Sequence, residues 1–380
     1  MLAEAGSTTT SRVEQLWLQD FRCFGSVEVS FPAGLTVLYG DNGQGKTSLL
    51  EAVGWVARAR SFRGVPDAAL VRRGAAAAVV RAEVGAGTRT RLFEAEIRGQ
   101  GRNRIQVNRQ AVARRRDLYG LLRVTVFAPD DLELVKGGPA GRRSYLDELL
   151  SLVGARYDAA ASDYERVLRH RNALLRGPRH DELRGASLAV FDEQLVRAGA
   201  ELVRGRLRLT ARLLPAVDAA YRALAGHDAV IHASYEPDWC EPLTADDVDA
   251  VEDLMRAALE RTARAEAERG VTLVGPHRDE WRITIGGLDA RTQASQGEQR
   301  TLALALRLAG HAVVADLTGD APVLLLDDVF SELDHARAEA LVRSLPAAQT
   351  LVTTAGSLPA TVTPQQAMRV AAGRVETMEP

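Results

Sequence analysis

A glycine-rich stretch, GDNGQGKTS at residues 40–48, has the residue types and spacing that bind phosphate. It fits the pattern G-x-x-x-x-G-K-[ST], whose glycines let backbone N–H groups turn towards phosphate oxygens. The chain has two lysines against 46 arginines, and it places one of the two, Lys46, inside this stretch. A compact ammonium reaches the β- and γ-phosphates where a planar guanidinium does not fit, and the Thr47 hydroxyl suits Mg²⁺. The predicted nucleotide-binding residues are therefore Gly40, Asp41, Asn42, Gly43, Gln44, Gly45, Lys46, Thr47 and Ser48.

An acidic motif, PVLLLDD at residues 322–328, supplies what a nucleotide site needs to hold a metal ion. Its apolar run, residues 323–326, is typical of a strand buried on both faces of a parallel sheet. Asp327 ends this strand and is placed to hold Mg²⁺ through water, together with Thr47. Asp328 follows directly and is a candidate to orient an attacking water or to accept its proton. The predicted catalytic residues are Lys46, Asp327 and Asp328, and the predicted metal-binding residues are Thr47 and Asp327.

A third motif, SQGEQ at residues 295–299, stands at the start of an apolar helical pattern. We call it the serine turn. The first turn of a helix has free N–H groups and the positive end of the helix dipole, which together favour an anion. The serine turn therefore adds Ser295, Gly297 and Gln299 to the candidate nucleotide-binding residues.

A sheet must bring these motifs together. The phosphate loop (residues 40–48) lies between a β-rich run, LTVLYG, and the helical pattern SLLEAVGWVARA. Because Lys46 and Asp327 must flank one Mg²⁺–ATP, the two ends of the chain must fold together. Alternating segments between glycine-rich turns predict an antiparallel sheet, and VTVFA predicts a further strand; these segments are residues 79–84, 91–97, 104–108 and 124–128.

The middle of the chain has helical periodicity. One pattern covers residues 141–176 and stops at Gly177 and Pro178. A second runs from residue 188 to 224, and Pro215 is expected to kink or break it. A shorter helix is predicted at residues 246–268. A helix of about 35 residues reaches roughly 50 Å, so the insert is predicted to be a compact arm.

The combined motifs resemble ABC-type ATPase heads. The serine turn precedes the acidic strand, and the segment SELD at residues 331–334 follows it, as in those proteins. Lys46 and Ser295 are about 250 residues apart, between the spacing in transporter subunits and that in long-armed SMC proteins. Three further segments make the chain similar to the RecF family, the short-armed, SMC-like heads of bacteria; they are LQDFRCFGSVEVSF, FAPDDLELVKGGPAGRRSYLD and GPHRDE.

This resemblance implies the fold and the domains. The fold class is α/β, with a P-loop ABC-type ATPase head, an antiparallel β subdomain and an inserted short helical arm. The implied domains are a disordered tail at residues 1–12, a head at 13–137 and 271–380, and an arm at 138–270.

The resemblance also implies a function. ATP and Mg²⁺ are the implied cofactors, in a homodimer where the serine turn of one copy caps the ATP of the other. The implied partners are double-stranded DNA and single/double-strand junctions, with RecO and RecR, in recombinational repair and replication restart. The site departs from many ABC heads: VTVFAPDD has no Gln, Asp328 replaces Glu, and Thr353 and Thr354 replace a His. These departures favour a weak, DNA-stimulated ATPase that acts as a switch.

Arginines after the phosphate-loop helix are candidates for contacts with the DNA backbone, although in an arginine-rich chain they equally suit a solvated surface. Aromatic residues make up only 5% of the chain, which favours backbone and shape recognition over base stacking. The candidates are Arg60, Arg63, Arg72 and Arg73. Two alternatives to the DNA-binding switch are a transporter-type ABC ATPase subunit and an SMC-like structural tether. The arm length and GPHRDE oppose the first, and the short arm opposes the second.

The composition fits a cytoplasmic protein without a membrane partner. The net charge is −2 and charged residues make up 26% of the chain, so any basic surface must be local. The sequence has no apolar run of 18 residues, and MLAEAGSTTTSR lacks the features of a signal peptide. Cys23 and Cys240 are the only cysteines, which gives neither a disulfide framework nor a zinc-site spacing.

Overall fold

The computed structural model describes residues 10–177, 182–226, 228–356, 358–359 and 361–378, without the side chains of Arg116, residues 182–186 and Glu332. The chain divides into two units. The first holds residues 1–131, 223–226 and 307–380, and the second holds residues 132–222 and 227–306. Most of the predicted tail, residues 1–9, lies outside the described residues, and the first strand already begins at Ser11.

The elements follow the order that the sequence patterns predict, with several additions. Among the described residues the strands are β1 (Ser11–Phe21), β2 (Phe24–Ser30), β3 (Leu35–Tyr39), β4 (Ala77–Ala86), β5 (Arg89–Arg98), β6 (Arg104–Val107), β7 (Gln110–Ala111), β8 (Val124–Phe127), β9 (Ile231–Glu236), β10 (Glu280–Ile285), β11 (Leu288–Asp289), β12 (Val323–Asp327), β13 (Thr350–Thr354), β14 (Gln366–Ala371) and β15 (Arg374–Met378). The α-helices there are α1 (Lys46–Arg58), α2 (Glu133–Lys136), α3 (Pro139–Val153), α4 (Ala155–Arg176), α5 (Glu182–Ala225), α6 (Val251–Arg269), α7 (Gln296–Thr318) and α8 (His335–Arg343).

A mostly parallel sheet in the first unit joins the two ends of the chain. Its strand order is β15-β14-β3-β13-β12-β8, and only the edge strand β15 runs antiparallel to its neighbour. Every residue of β12 and β13 is buried, as expected for strands covered on both faces. Because β13 pairs with both β3 and β12, the prediction that the chain ends fold together is confirmed.

An antiparallel sheet completes the first unit. Its order is β2-β1-β4-β5-β6-β7, so the predicted strands at residues 79–84, 91–97 and 104–108 are confirmed. β4 alternates between buried and more exposed residues over most of its length, which is the pattern of a sheet with one face on the core. The core includes Trp55 of α1, whose ring meets that of Phe93 edge-on at 6.2 Å between centroids.

The second unit corrects two expectations about the arm helices. The pattern at residues 141–176 is not one helix, because Gly154 has an extended backbone that ends α3 and precedes α4. Glycine is a poor helix former, so it is a natural place for the interruption. Pro215 was expected to kink or break the next helix; α5 continues through it, so the break is wrong and the kink stays a prediction. Ala211, the residue four positions earlier, is exposed, so water can hydrate the carbonyl that Pro215 cannot bond.

The second unit also contains strands that the sequence patterns did not predict. β9 lies within the segment assigned to a helical arm, and it pairs with β10 in a three-stranded antiparallel sheet. The third predicted helix begins at Val251, five residues later than expected, after a short 3₁₀ turn. Residues 271–306 belong to this unit, whereas the predicted head includes them. The assignment of head and arm as functional domains therefore stays a prediction.

One helix of the described chain, α7, is long and apolar enough to cross a membrane by those criteria alone. However, 67% of its apolar window is buried inside the structure, as in a helix of a protein core.

Candidate nucleotide-binding site

The phosphate loop has the strand–loop–helix context that the motif requires. It follows β3, and α1 begins at Lys46, so the free N–H groups of the first helical turn lie at the loop. Gly45 has φ 109°, and a Cβ there would lie 2.5 Å from the Sγ of Cys23. Gly40 is equally constrained, because its Cβ would lie 2.3 Å from the carbonyl oxygen of Val370. Both positions therefore require glycine, which explains their place in the loop.

Lys46 is held across the loop. Its Nζ donates to the carbonyl oxygens of Gly40, at 2.5 Å, and Asp41, at 3.0 Å, and the residue is only 6% exposed. The loop is braced further along, since Oε1 of Gln44 accepts from the N–H of Ala372 at 2.8 Å. The cation therefore sits in a fixed position over the loop, where it can meet a phosphate group.

Thr47 and Asp327 lie together at the ends of separate elements. Thr47 Oγ1 donates to Oδ1 of Asp327 at 2.8 Å, which joins the start of α1 to the end of β12. Burial raises the pKa of Asp327, and hydrogen bonds from Thr47 and Thr353 oppose that rise. A hydroxyl and a carboxylate are hard oxygen donors of the kind that Mg²⁺ prefers when phosphates and water complete its shell. The residues present thus fit the predicted metal, although no cluster of three or more His, Cys, Asp or Glu residues occurs among the described residues.

Asp328 has an unusual backbone and an unsatisfied oxygen. Its φ is 50°, in the left-handed region, and its N–H donates to Thr353 Oγ1 at 2.9 Å. Its Oδ1 is buried and has no hydrogen-bond partner among the described residues. A buried carboxylate oxygen without a partner is unusual, and Asp328 also lies in the wall of the cavity next to the phosphate loop.

A cavity of about 630 Å³ adjoins the phosphate loop. Its volume lies within the range of about 300–1,000 Å³ that is usual for small-molecule sites. Besides residues of the phosphate loop, Asp328 and Thr353, its walls include Arg22, Arg63 and Arg73. The structure therefore brings two of the four DNA-contact candidates, Arg63 and Arg73, into the nucleotide cavity.

The other two candidates lie apart from the cavity walls. Arg60 is exposed just after α1. Arg72 is also exposed, and it forms a 3.4 Å ion pair with Asp20.

The sequence patterns did not predict an ion pair between Arg22, in the cavity wall, and the buried Glu51. Glu51 of α1 is fully buried, and Arg22 donates to both of its carboxylate oxygens, at 2.7 and 2.8 Å. Ser61 also donates to Glu51, and Arg22 donates to the carbonyl oxygen of Ala69 at 2.9 Å. This network fixes the β1–β2 turn and the segment after α1 against the phosphate-loop helix. The sequence does contain one sign of this ion pair, a glutamate among the apolar residues of a buried helix.

The serine turn lies in the second unit and caps α7. Ser295 Oγ donates to Oε2 of Glu298 at 2.7 Å, and the Ser295 N–H donates to the same oxygen at 2.8 Å. The Glu298 N–H donates in turn to Ser295 Oγ at 3.3 Å, and this bond forms a capping box with the bond from the Ser295 N–H. Gln299 is buried, and its Nε2 donates to the carbonyl oxygens of Ala290 and Arg291, each at 3.0 Å. The exposed residues of the turn are Ser295 and Gln296, while Gln299 fastens the turn to the preceding segment.

The structure brings only part of the predicted site together. The phosphate loop, Asp327 and Asp328 meet within the first unit. Ser295, Gly297 and Gln299 belong to the second unit. The contact between these three residues and a nucleotide therefore stays a prediction.

Fold and site together define a class, the P-loop ATPase heads of the SMC type. A family model described as RecF/RecN/SMC N terminal domain matches residues 12–372. The chain belongs to the RecF proteins of this family, as its relatives establish. The DNA replication and repair protein RecF of Streptomyces avermitilis is 45% identical over 352 residues, which cover 90% of this chain and 93% of the relative. RecF of Frankia alni is 46% identical over 371 residues, which cover 95% and 98% of the two chains.

Solved structures agree with the sequence relatives. A solved structure of the recombination mediator protein RecF-ATPrS in the RecFOR pathway has a TM-score of 0.88 at 27% identity, covering 98% of this chain and 99% of that one. A RecF-ATP structure has a TM-score of 0.86 at 28% identity, covering 97% and 100%. The Smc head of Pyrococcus furiosus has a TM-score of 0.59 at 16% identity over 97% and 96% of the chains, which shows a shared fold alone.

Proposed function

We propose that this chain is an ATP-dependent DNA-binding protein of recombinational repair and replication restart. The observation that carries the proposal is the hydrogen bond between Thr47 and Asp327, the proposed metal-binding pair. Thr47 also lines the cavity beside Lys46. The similar solved structures are those of RecF-ATP and RecF-ATPrS, which supports ATP as the ligand here.

Within this site each residue has a distinct role. The N–H groups at the start of α1 and the Lys46 ammonium bind the phosphates. Thr47 and Asp327 would hold Mg²⁺, which would supply positive charge next to the phosphates. Asp328 orients the attacking water or accepts its proton. The Asp328 side chain is one methylene shorter than the Glu of many ABC heads, which supports slow turnover suited to a switch.

Dimerisation is the step that couples nucleotide to DNA in this proposal. The head is formed by residues 13–137 and 271–380 and the arm by residues 138–270. Two copies join when the serine turn of each caps the ATP held by the other. Because Ser295 is exposed at the N-terminus of α7, it is accessible to a phosphate group. Loss of the γ-phosphate then weakens the dimer.

DNA contact is assigned to the arginines that remain outside the cavity. We propose that Arg60 and Arg72 contact the DNA backbone, while Arg63 and Arg73 have the additional or alternative role of contacting the nucleotide. Double-stranded DNA and single/double-strand junctions are the proposed partners, bound through phosphates without sequence readout.

RecO and RecR are the proposed protein partners, because the similar solved structures are described as RecF in the RecFOR pathway. The proposed location is the cytoplasm, without a membrane partner. A transporter-type subunit is not favoured, since these relatives are named DNA replication and repair protein RecF.

The proposed function is tested by removing one of the two lysines at a time. Lys46→Ala should weaken ATP binding by about 100-fold, because it removes charge-assisted hydrogen bonds worth about 1.5–3 kcal/mol each. Lys136→Ala, the matched control on α2, should bind ATP like the parent protein. Affinity is measured with a fluorescent ATP analogue and DNA binding by anisotropy of a labelled gapped duplex. ATP should tighten DNA binding by the parent and not by Lys46→Ala. Unchanged ATP affinity in Lys46→Ala, or DNA binding indifferent to ATP in the parent, contradicts the proposal.

A further inference from the structure

Thr353 lies on the strand between the two halves of the nucleotide site. β13 pairs in parallel with β3 and with β12, and Thr353 is opposite Leu38 in one pairing and Asp327 in the other. The residue is fully buried. β13 thus places a hydroxyl between the strand that leads to the phosphate loop and the strand that ends in the acidic pair.

The Thr353 hydroxyl both donates a hydrogen bond to the acidic pair and accepts one from it. Oγ1 donates to Oδ1 of Asp327 at 2.8 Å and accepts from the N–H of Asp328 at 2.9 Å. Thr47 donates to the same Oδ1 from the other side. Two hydroxyls therefore converge on one carboxylate oxygen, and Oδ2 takes no hydrogen bond from the part of the chain that the structure describes.

The same hydroxyl supports the backbone of Asp328. The left-handed conformation at φ 50° is unfavourable for residues other than glycine, although Asp and Asn adopt it more readily than most. The Asp328 N–H gains its hydrogen bond with Thr353 in this conformation. One side chain thus holds the orientation of Asp327 and the backbone that presents Asp328.

We propose that Thr353 is a positioning residue for binding of the Mg²⁺–nucleotide complex, acting through Asp327 and Asp328. This inference rests on the proposed function, since it concerns how tightly the same site binds ATP in the presence of the metal. Groups that orient metal ligands typically change metal affinity by about 10- to 100-fold when they are removed. Among the described residues, the Thr353 hydroxyl bonds with Asp327 and Asp328 and not with the phosphate loop, so we expect metal-free nucleotide to bind without it.

The adjacent residue provides a matched control. Thr354 is also buried, with 1% exposed, and it belongs to the same strand. Its Oγ1 donates to the carbonyl oxygen of Gly356 at 3.2 Å and accepts from the Gly356 N–H at 3.1 Å. Thr354→Val therefore removes a buried hydroxyl from β13 without removing a bond to Asp327 or Asp328.

The experiment measures binding of a fluorescent ATP analogue, first in EDTA and then across a Mg²⁺ titration. Thr353→Val keeps the volume and suits a strand, but it lacks the hydroxyl. We expect Thr353→Val to bind the analogue in EDTA within about twofold of the parent. Its half-maximal Mg²⁺ concentration should rise by about 10-fold or more. Thr353→Ser keeps the hydroxyl, so its half-maximal Mg²⁺ concentration should stay within about threefold of the parent value. Thr354→Val should have the same half-maximal Mg²⁺ concentration as the parent.

Several outcomes decide between the two proposals. A parental Mg²⁺ dependence in Thr353→Val overturns the role of Thr353 and leaves ATP binding intact. An equal shift in Thr354→Val also overturns it, because any buried hydroxyl on β13 would then have the same effect. A parent protein that binds no ATP contradicts the proposed function itself. If Thr353→Val does not fold, Thr353→Cys replaces the hydroxyl with a weakly hydrogen-bonding thiol of similar size and should show the same selective shift in Mg²⁺ dependence.

Discussion

Replacement of Arg22 by methionine should destabilise the first unit far more than replacement of an exposed arginine. The substitution leaves Glu51 fully buried without its two hydrogen bonds from the guanidinium. Removing one partner of a buried ion pair costs about 3–5 kcal/mol, because the other charge stays uncompensated. The Arg22 side chain is 19% exposed, so some water reaches the pair and we expect the lower end of that range, about 3 kcal/mol.

This magnitude is large enough to measure by thermal unfolding. The midpoint for the first unit should fall by about 6–12 °C, given about 2–4 °C per kcal/mol for a unit of roughly 200 residues. Arg12→Met is the control, because the Arg12–Glu14 pair has side chains 40% and 30% exposed. Such a pair contributes about 0–1 kcal/mol, so its loss should shift the midpoint by only a few degrees at most.

The double variant Arg22→Met/Glu51→Met separates charge from packing. Removing both charges should restore much of the stability lost in Arg22→Met, because well-packed apolar residues often replace a buried pair with little cost. A midpoint for Arg22→Met within about 2 °C of the parent would refute this reasoning. A double variant no more stable than Arg22→Met would show that the lost packing, and not the buried charge, causes the effect.

Other predictions address the acidic pair, the serine turn and a buried histidine. Asp328→Asn should keep ATP binding and stabilise the ATP-bound dimer in gel filtration. Asn tolerates the left-handed backbone at this position but cannot act as the proton acceptor. Failure of this variant to dimerise with ATP contradicts the role of Asp328. Ser295→Arg should bind ATP normally and not dimerise, whereas parental dimers in that variant refute the capping role. Burial lowers the pKa of His311 to about 4, while Thr125 bonds its Nδ1 at 2.8 Å. The folded state therefore disfavours the charged imidazole, and stability should fall as pH drops from about 6.5 towards 4. Between pH 7 and 4.5, the free energy of unfolding of His311→Gln, measured with urea, should fall by roughly 2 kcal/mol less than that of the parent. An identical pH profile counts against this prediction.

The sequence predicted those parts of the fold that depend on the pattern of neighbouring residues. The phosphate loop and the apolar run before Asp327 each specify their own strand or helix boundary, and the buried β12 strand follows from that run. β9 escaped prediction because its stability comes from pairing with β10, more than 40 residues later. The interruption at Gly154 escaped because apolar spacing continues across it.

The candidate site likewise has residues that the sequence predicted and residues that it did not. Motif residues such as Thr47 and Asp327 were predictable from type and spacing, and their 2.8 Å contact agrees with the shared role. The role of Thr353 was not predictable, because it depends on the register between β12 and β13. The position of Arg63 in the cavity wall likewise depends on how the segment after α1 is anchored by Glu51.

The central claim is that the phosphate loop of one copy and the serine turn of another bind the same ATP. A mixture of Lys46→Ala and Ser295→Arg tests it directly, because one intact composite site forms only in the heterodimer. The two variants carry tags of different mass, and oligomers are measured by light scattering in the presence of ATP. Each variant on its own should stay monomeric, and the mixture should form heterodimers. A mixture that stays monomeric with ATP while the parent dimerises, or ATP-dependent dimers of either variant alone, would contradict the account.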